Sequence, residues 1–199
     1  MRWIPHGQAC KPAAHPYNCP MEKIAVICVG NRLMLDDGIG PAVYDALTED
    51  YRFPENVELI DAGCMSMDLL HVVRDFDYII TVDAIDGLDA DPGTVFRFAP
   101  EDIGGGVAIM QSLHDLRLID LFNAAALLGY HAEGICYGMK VLNMHPLDLT
   151  EGLTQPVFDA LPLLRDAVLA ELLGRGVEIR NADGSVFVPP AGDQPDPCE

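Results

Sequence analysis

The residues with the clearest chemical potential lie in a glycine-rich loop near the start of the chain. Two adjacent carboxylates, Asp36 and Asp37, stand between Gly30 and Gly40, at the start of a segment with helical spacing. Backbone N–H groups at such a turn can hold a phosphate, but two carboxylates at the same point would repel that anion. The loop therefore favours a cation over a nucleotide. One carboxylate could instead cap the helix, which would leave the other available for chemistry.

Two further residues could complete a site with this pair. Asp83 follows the buried run Tyr78–Val82, and His114 precedes a predicted helix that begins at Asp115. Taken alone, an Asp or a His at such a position is more often a turn or surface residue than a ligand. Two carboxylates and one imidazole from separate loops nevertheless form an open site for a divalent transition metal, with positions left for a substrate.

The elements that must position these residues alternate between strands and helices. Apolar runs predict strands at 23–29, 57–61, 78–82, 94–98 and 135–142. Helical spacing predicts helices at about 40–50, 65–74, 115–128 and 156–173. This order predicts an α/β fold, a three-layer sandwich in which helices flank a mostly parallel, mixed sheet. Ligands in such folds collect at the carboxyl ends of the strands, which is where these side chains are expected.

The length of the chain suits one domain with tails. With 199 residues, one core is expected rather than two independent ones. Residues 1–20 contain several prolines and no continuous apolar stretch, which predicts a loose N-terminal extension. Residues 21–180 are predicted to form the single α/β domain. Residues 181–199 are rich in proline and acidic residues, which predicts a disordered tail.

Charge and hydropathy exclude several classes of function. Lys and Arg number 12 against 31 Asp and Glu, so the net charge is −19 and the chain repels nucleic acid and anionic lipid. No apolar stretch approaches the ~20 residues that span a bilayer, so no membrane insertion is expected. Cys28, Cys64 and Cys136 lie in or beside apolar segments, where reduced, buried thiols are expected, and this predicts a cytoplasmic protein. A monomer is the default expectation.

The order and spacing of several short motifs are specific when taken together, although each is weak alone. The sequence from Lys23 to Leu173 resembles the [NiFe]-hydrogenase maturation endopeptidases, proteases that trim a C-terminal extension from the hydrogenase large-subunit precursor. The similarity rests on Gly30-Asn31 with Leu33, Asp36-Asp37-Gly38-Ile39-Gly40, Asp61-Ala62-Gly63, Asp83-Ala84, Pro92-Gly93, His114 and Gly152-Leu153-Thr154-Gln155-Pro156-Val157. Two departures concern the choice of precursor: Ala62 stands where the family has a glycine, and Gly138-Met139-Lys140-Val141 differs from the usual run.

The resemblance implies a phosphorylase/hydrolase-like α/β fold and a site with assigned residues. It implies a metal site made of Asp37, Asp83 and His114, with Asp37 and Asp83 also catalytic, while Asp36 is expected to be structural. The resemblance further implies that the metal is the nickel of the precursor, which would act as the recognition element and for which other divalent metals could substitute. It also implies that no cofactor is stored permanently in the resting enzyme. Substrate-binding roles are implied for Gly30, Asn31, Gly38 and Gly63.

The mechanism and two other functions stay open at this point. A metal could polarise the scissile carbonyl, or an aspartate could act as general base on a water molecule. A second candidate function is a nickel-binding accessory or chaperone module that docks the same precursor without cutting it. A third is a nucleotide-binding regulator, against which the paired aspartates argue.

Overall fold

The computed structural model describes residues 21–64, 69–99, 124–130 and 132–189 of the chain. The strands in these ranges are β1 (Ile24–Val29), β2 (Tyr51–Arg52), β3 (Val57–Gly63), β4 (Tyr78–Ile85), β5 (Val95–Phe98), β6 (Glu133–Lys140) and β7 (Arg180–Asn181). The helices with described bounds are α1 (Ile39–Asp50), α2 (Leu70–Asp75) and α3 (Gln155–Gly174), and a 3-10 helix at Leu35–Gly38 precedes α1. Residues 124–127 are also helical.

The main sheet has five strands in the order β3-β1-β4-β6-β5. The first four are parallel, and β5 pairs antiparallel with β6 at one edge. This confirms the predicted mostly parallel, mixed sheet. A second, two-stranded sheet joins β2 to β7.

Helices cover both faces of the sheet because its central strands are apolar on both sides. In β1, Ile24, Val26 and Cys28 belong to the cluster that includes α1 and α3, whereas the alternate side chains join a second cluster with α2 and the helical residues 124–127. Strand side chains alternate between the two faces, so a continuous apolar run of this kind needs cover on each. The predicted three-layer arrangement is therefore confirmed.

A polar cluster links α3 to the sheet at a distance from the aspartates. The carboxylate of Glu171 accepts hydrogen bonds from the hydroxyls of Tyr78 (2.8 Å) and Tyr137 (2.8 Å) and from Arg97 (3.2 Å). Arg175 also lies over the ring of Tyr78. These contacts join β4, β5 and β6 to one helix and so help to fix the orientation of α3.

The sequence expectations for Asp83 and Cys64 are wrong. Asp83 does not follow its strand: β4 continues to Ile85 because β6 pairs with it over its full length. Cys64 is exposed, because it follows the end of β3 at the surface, whereas Cys28 and Cys136 are buried as expected.

The predicted disordered tail from residue 181 is also wrong for its first part. Asn181 pairs with Tyr51 in the small sheet, and the ring of Phe187 packs edge-on against Tyr51 with centroids 5.1 Å apart. The prediction failed because these contacts are made with residues far away in the sequence, and the composition of the segment gives no sign of them. Residues 1–20, 190–199, most of the predicted 115–128 helix and the first residues of the predicted 65–74 helix lie outside the described residues. No helix in the described ranges is long and apolar enough to cross a bilayer.

Candidate functional site

The parallel strands place the key carboxylates at one edge of the main sheet, the edge formed by the carboxyl ends of the strands. Cys28 of β1 is in register with Val82 of β4, and Asp83 is in register with Gly138 of β6. Asp83 therefore lies level with the end of β1, where the glycine-rich loop begins. The 3-10 helix that carries Asp36 and Asp37 contacts β4. The aspartates from the loop and from the strand thus reach the same edge, as parallel topology requires.

The loop after β1 folds tightly on itself. The N–H of Gly30 donates to the carbonyl of Gly63 at the end of β3 (2.9 Å). The N–H of Asn31 donates both to the carbonyl oxygen of Asp37 (3.1 Å) and to its side-chain Oδ2 (3.0 Å). Gly30 has φ = +143°, and a Cβ there would lie 1.9 Å from the Asp37 carbonyl oxygen. Only glycine fits this position, because the backbone of Asp37 occupies the space of a side chain.

Asp37 and Asp83 are nearly inaccessible carboxylates. Their exposed fractions are 5% and 4%. Backbone N–H groups donate to both: that of Asn31 to Asp37, and that of Ala84 to Oδ1 of Asp83 (2.8 Å). Taking a carboxylate out of water costs free energy, and backbone hydrogen bonds of this kind offset part of that cost in general. The arrangement suits groups that accept a proton or bind a cation.

Asp36 has a different role from its neighbour. It is fully buried, and its Oδ2 accepts hydrogen bonds from the N–H groups of Leu142 (3.1 Å) and Asn143 (2.8 Å) and from the hydroxyl of Thr154 (2.9 Å). Its Oδ1 accepts from the N–H of Thr154 (2.6 Å), the residue that precedes α3. Asp36 therefore holds the 141–154 loop and the start of α3 against the first loop. The expected structural role of Asp36 is confirmed.

Neither carboxylate caps α1 through its side chain. The residue before α1 is Gly38, and the helix has no side-chain cap. The capping alternative for α1 is therefore wrong: Asp36 instead binds the start of α3, which lies more than 100 residues further along the chain.

Arg32 links the same loop to α1 and β3. Its guanidinium pairs with Asp45 of α1 and donates to Asp61 of β3 (2.8 Å) and to the carbonyl of Pro41 (3.3 Å). Hydrogen bonds to the two carboxylates raise the pKa of Arg32 further above its ordinary value. This role of Arg32 was not predicted, although Arg32 is the one basic residue in an acidic loop, which is a signal for an ion pair.

The structure brings most of the predicted site residues together. Gly30, Asn31, Asp37 and Gly38 lie in the first loop, Gly63 ends β3, and Asp83 lies within β4, level with the end of β1. The packing of Gly30 against Asp37 accounts for that glycine without a substrate, so the substrate-binding roles of the loop residues stay predictions. His114 lies outside the described residues, and within the described part of the chain no three His, Cys, Asp or Glu side chains form a group suited to a metal ion.

The fold and this edge define a class: an α/β protein with buried carboxylates at the carboxyl ends of parallel strands. The sequence profile of the hydrogenase maturation protease family matches residues 41–171, about two thirds of the chain. That range includes Asp83 and His114 and begins four residues after Asp37. The chain belongs to the hydrogenase maturation protease family and is therefore a hydrolase.

Individual relatives agree with this assignment. The hydrogenase 2 maturation protease of Escherichia coli is 31% identical over 158 residues, which cover 78% of this chain and 94% of that protein. The hydrogenase expression/formation protein HupD of Rhizobium leguminosarum is 29% identical over 176 residues, 86% of this chain and 84% of that protein. The structure of the E. coli hydrogenase maturating endopeptidase HybD is similar with a TM-score of 0.74 at 30% identity, covering 82% of this chain and 99% of the other.

Proposed function

We propose that this chain is an endopeptidase that removes a C-terminal extension from the nickel-loaded large-subunit precursor of a [NiFe]-hydrogenase. Membership in the hydrogenase maturation proteases supports the reaction class, and the E. coli hydrogenase 2 maturation protease supports a hydrogenase as the substrate class. The structural observation that carries the proposal is the pair of buried carboxylates, Asp37 and Asp83, on neighbouring elements at one sheet edge.

Nickel in the precursor is the recognition element of this proposal. Asp37 and Asp83 would offer oxygen donors and His114 a nitrogen donor, a set that suits divalent first-row metals. Two buried carboxylates are costly while both are ionised, and a divalent cation that binds both offsets that cost. A precursor without nickel would offer no such compensation. Cleavage is therefore expected only after the metal has been installed.

The bond-breaking step has two candidate routes at this site. In the first, the carboxylate of Asp37 or Asp83 accepts a proton from water, the hydroxide attacks the scissile carbonyl, and the proton passes to the leaving amide nitrogen. In the second, the nickel held by the precursor acts as a Lewis acid on that carbonyl. The first route predicts similar turnover with any divalent metal that the site accepts. The second predicts turnover that changes with the Lewis acidity of the metal.

The decisive experiment is mass spectrometry of a matched large-subunit precursor after incubation with the protein, with and without nickel. The wild-type chain is expected to release a C-terminal peptide only from the nickel-loaded precursor. Asp37→Asn is expected to lower that cleavage by about 100-fold or more, since it removes a potential base and an anionic ligand. Asp159→Asn is the matched control, because Asp159 is exposed on α3 and its change leaves the sheet edge intact.

Each other outcome has a defined meaning. A nickel-loaded precursor that binds the wild-type chain but stays intact would replace the protease by a nickel-binding accessory module. Equal cleavage with and without nickel would refute nickel recognition while keeping the protease. Full activity of Asp37→Asn would remove Asp37 from the site.

A further inference from the structure

Four exposed leucines lie in or beside the glycine-rich loop that follows β1 and carries Asp36 and Asp37. Leu33 comes from the loop after β1, and Leu142, Leu147 and Leu149 come from the 141–154 loop between β6 and α3. Leu147 is fully exposed and Leu149 is 73% exposed. Isolated leucines are common on protein surfaces, but several from neighbouring segments form a patch of the kind that marks an interaction site. These four residues are called the leucine patch.

Backbone hydrogen bonds hold the two loops of the patch together. The N–H of Thr150 donates to the carbonyl of Leu33 (2.9 Å), and the N–H of Leu35 donates to the carbonyl of Thr150 (2.8 Å). These bonds form a short parallel bridge between Met34 and Thr150, which places Leu33 next to Leu149. The patch is therefore a preformed surface, which reduces the entropy lost when a partner binds.

The same contacts fix the patch relative to the predicted catalytic carboxylates. Leu142 donates its N–H to Asp36, whose neighbour in the chain is Asp37. Leu33 lies four residues before Asp37 in the same loop. A polypeptide bound to the leucine patch would consequently lie alongside the end of the sheet that carries Asp37 and Asp83.

The charges around the patch are negative. Asp148 and Glu151 are exposed and lie between and after its leucines. The two basic side chains of the adjoining elements are already paired with carboxylates: Lys140 with Asp86 (2.7 Å), and Arg32 with Asp45 and Asp61. The complementary partner therefore combines apolar side chains with Lys or Arg, because like charges would be repelled.

We infer that the leucine patch, with Asp148 and Glu151, docks an apolar and basic segment of the precursor polypeptide next to the bond to be cut. This inference rests on the proposed function and extends it from the reacting atoms to the surface that selects the substrate. The leucines supply apolar contact area, and the two carboxylates supply orientation and salt-sensitive attraction.

The test compares two double variants with a matched control. Leu147→Ser with Leu149→Ser is expected to raise KM for the nickel-loaded precursor at least about tenfold, with kcat changed less than about twofold, because only docking contacts are lost. Asp148→Asn with Glu151→Gln is expected to raise KM about threefold and to reduce its dependence on salt. The control is Leu163→Ser on α3, since Leu163 is 62% exposed and should leave KM unchanged.

Binding and sedimentation separate this inference from the proposed function. If the wild-type chain binds the precursor without cutting it, the protease proposal fails, but a tenfold weaker binding of the Leu147/Leu149 variant would still support docking. Unchanged KM and binding in that variant, with thermal unfolding as in wild type, would refute docking even if cleavage proceeds. Failure of the wild-type chain to bind any nickel-loaded precursor would also overturn it. A wild-type dimer that the leucine changes convert to a monomer, without effect on KM, would reassign the patch to a second copy of the chain.

Discussion

Asp36 and Asp37 are adjacent in the first loop but have different roles, because their side chains lie in different surroundings. Asp36 accepts four hydrogen bonds from the 141–154 loop and the start of α3, whereas Asp37 lies at the end of the sheet with Asp83. A carboxylate with so many donors is already satisfied and is poorly placed to bind another group. We therefore expect Asp37 to take part in catalysis or metal binding and Asp36 to have a structural role.

Replacing Asp36 should cost stability rather than chemistry. Asp36→Ala leaves four donors at Leu142, Asn143 and Thr154 without their acceptor, so the free energy of unfolding should fall by at least about 3 kcal/mol. Urea denaturation followed by circular dichroism measures the change. Asp159→Ala, on the exposed side of α3, should cost less than about 0.5 kcal/mol. A similar small loss in both variants would contradict the structural role of Asp36.

The close approach of Gly30 to Asp37 gives a second prediction for single residues. Gly30→Ala places a Cβ 1.9 Å from the Asp37 carbonyl oxygen, so the loop must move and the free energy of unfolding should fall by about 3 kcal/mol or more. Gly176→Ala is the control, since Gly176 also has positive φ (+81°) but no atom near the added Cβ. It should cost about 1 kcal/mol from backbone strain alone. Thermal or urea unfolding compares the two, and equal losses would show that packing against Asp37 is unimportant.

At the scale of elements, α3 is held by two polar anchors as well as by its apolar face. Thr154, the residue that precedes its first turn, donates to Asp36, and its last turns carry Glu171, which accepts hydrogen bonds from tyrosines of β4 and β6. Burial raises the pKa of Tyr137 to about 12, and its hydrogen bond to Glu171 acts in the same direction. The two anchors lie at opposite ends of the helix, so they define its tilt across the sheet more sharply than apolar packing alone.

The anchor at Glu171 should make part of the stability depend on pH. Burial raises the pKa of Glu171, but the hydrogen bonds from Tyr78 and Tyr137 and the charge of Arg97 outweigh it, so the net pKa lies below the ordinary 4.5. A lowered carboxyl pKa adds stability above the pKa of the unfolded chain, and that stability is lost as the pH falls through the folded value. Glu171→Gln should therefore destabilise the protein more at pH 7 than at pH 3.

The measurement for Glu171 is the difference in unfolding free energy between wild type and variant as a function of pH. Taking the difference removes the contribution of the many other carboxyl groups. Glu178→Gln provides a control, because Glu178 is exposed and pairs only with Arg180 among the described contacts. A destabilisation by Glu171→Gln that stays constant from pH 7 to pH 3 would contradict the lowered pKa.

At the scale of the whole molecule, the site is assembled from distant parts of one chain. Asp37 comes from the loop after β1 and Asp83 from β4, and His114 is predicted to join them. The net charge of −19 gives the surface a strongly negative field, which would attract a basic partner before contact. The cytoplasmic location and monomeric state stay predictions from the sequence.

The prediction at this scale concerns His114. His114→Ala should lower cleavage of the nickel-loaded precursor by about 100-fold or more, since an imidazole that binds the metal or carries a proton has no substitute at that position. Thermal unfolding should stay close to that of the wild type. His71→Ala, on the exposed side of α2, is the matched control and should leave cleavage unchanged. Normal cleavage by the His114 variant would exclude this histidine from the site.

Local patterns were sufficient to predict most elements of the fold. Runs of β-branched and apolar residues, such as Ile24–Val29, are long enough to indicate strands buried on both faces, and the 3.6-residue period of 155–174 indicates α3. The ends of the strands were less predictable, because they depend on strand pairing and not on composition. Pairing with β6 extends β4 to Ile85, and pairing with Tyr51 places Asn181 in a sheet. The exposure of Cys64 also depends on where β3 ends and not on its apolar neighbours.

Residue types and spacing were enough to identify the groups capable of chemistry: the acidic pair in a glycine-rich loop and the aspartate in a buried run. The order of the motifs was enough to show the resemblance to the maturation endopeptidases. The different roles of Asp36 and Asp37, in contrast, depend on contacts that form only in the folded chain. Asp36 receives its hydrogen bonds from residues 106 to 118 positions away, whereas Asp37 contacts its own loop. No local pattern encodes such partners, because they meet only after the parallel strands have brought their carboxyl ends to one edge.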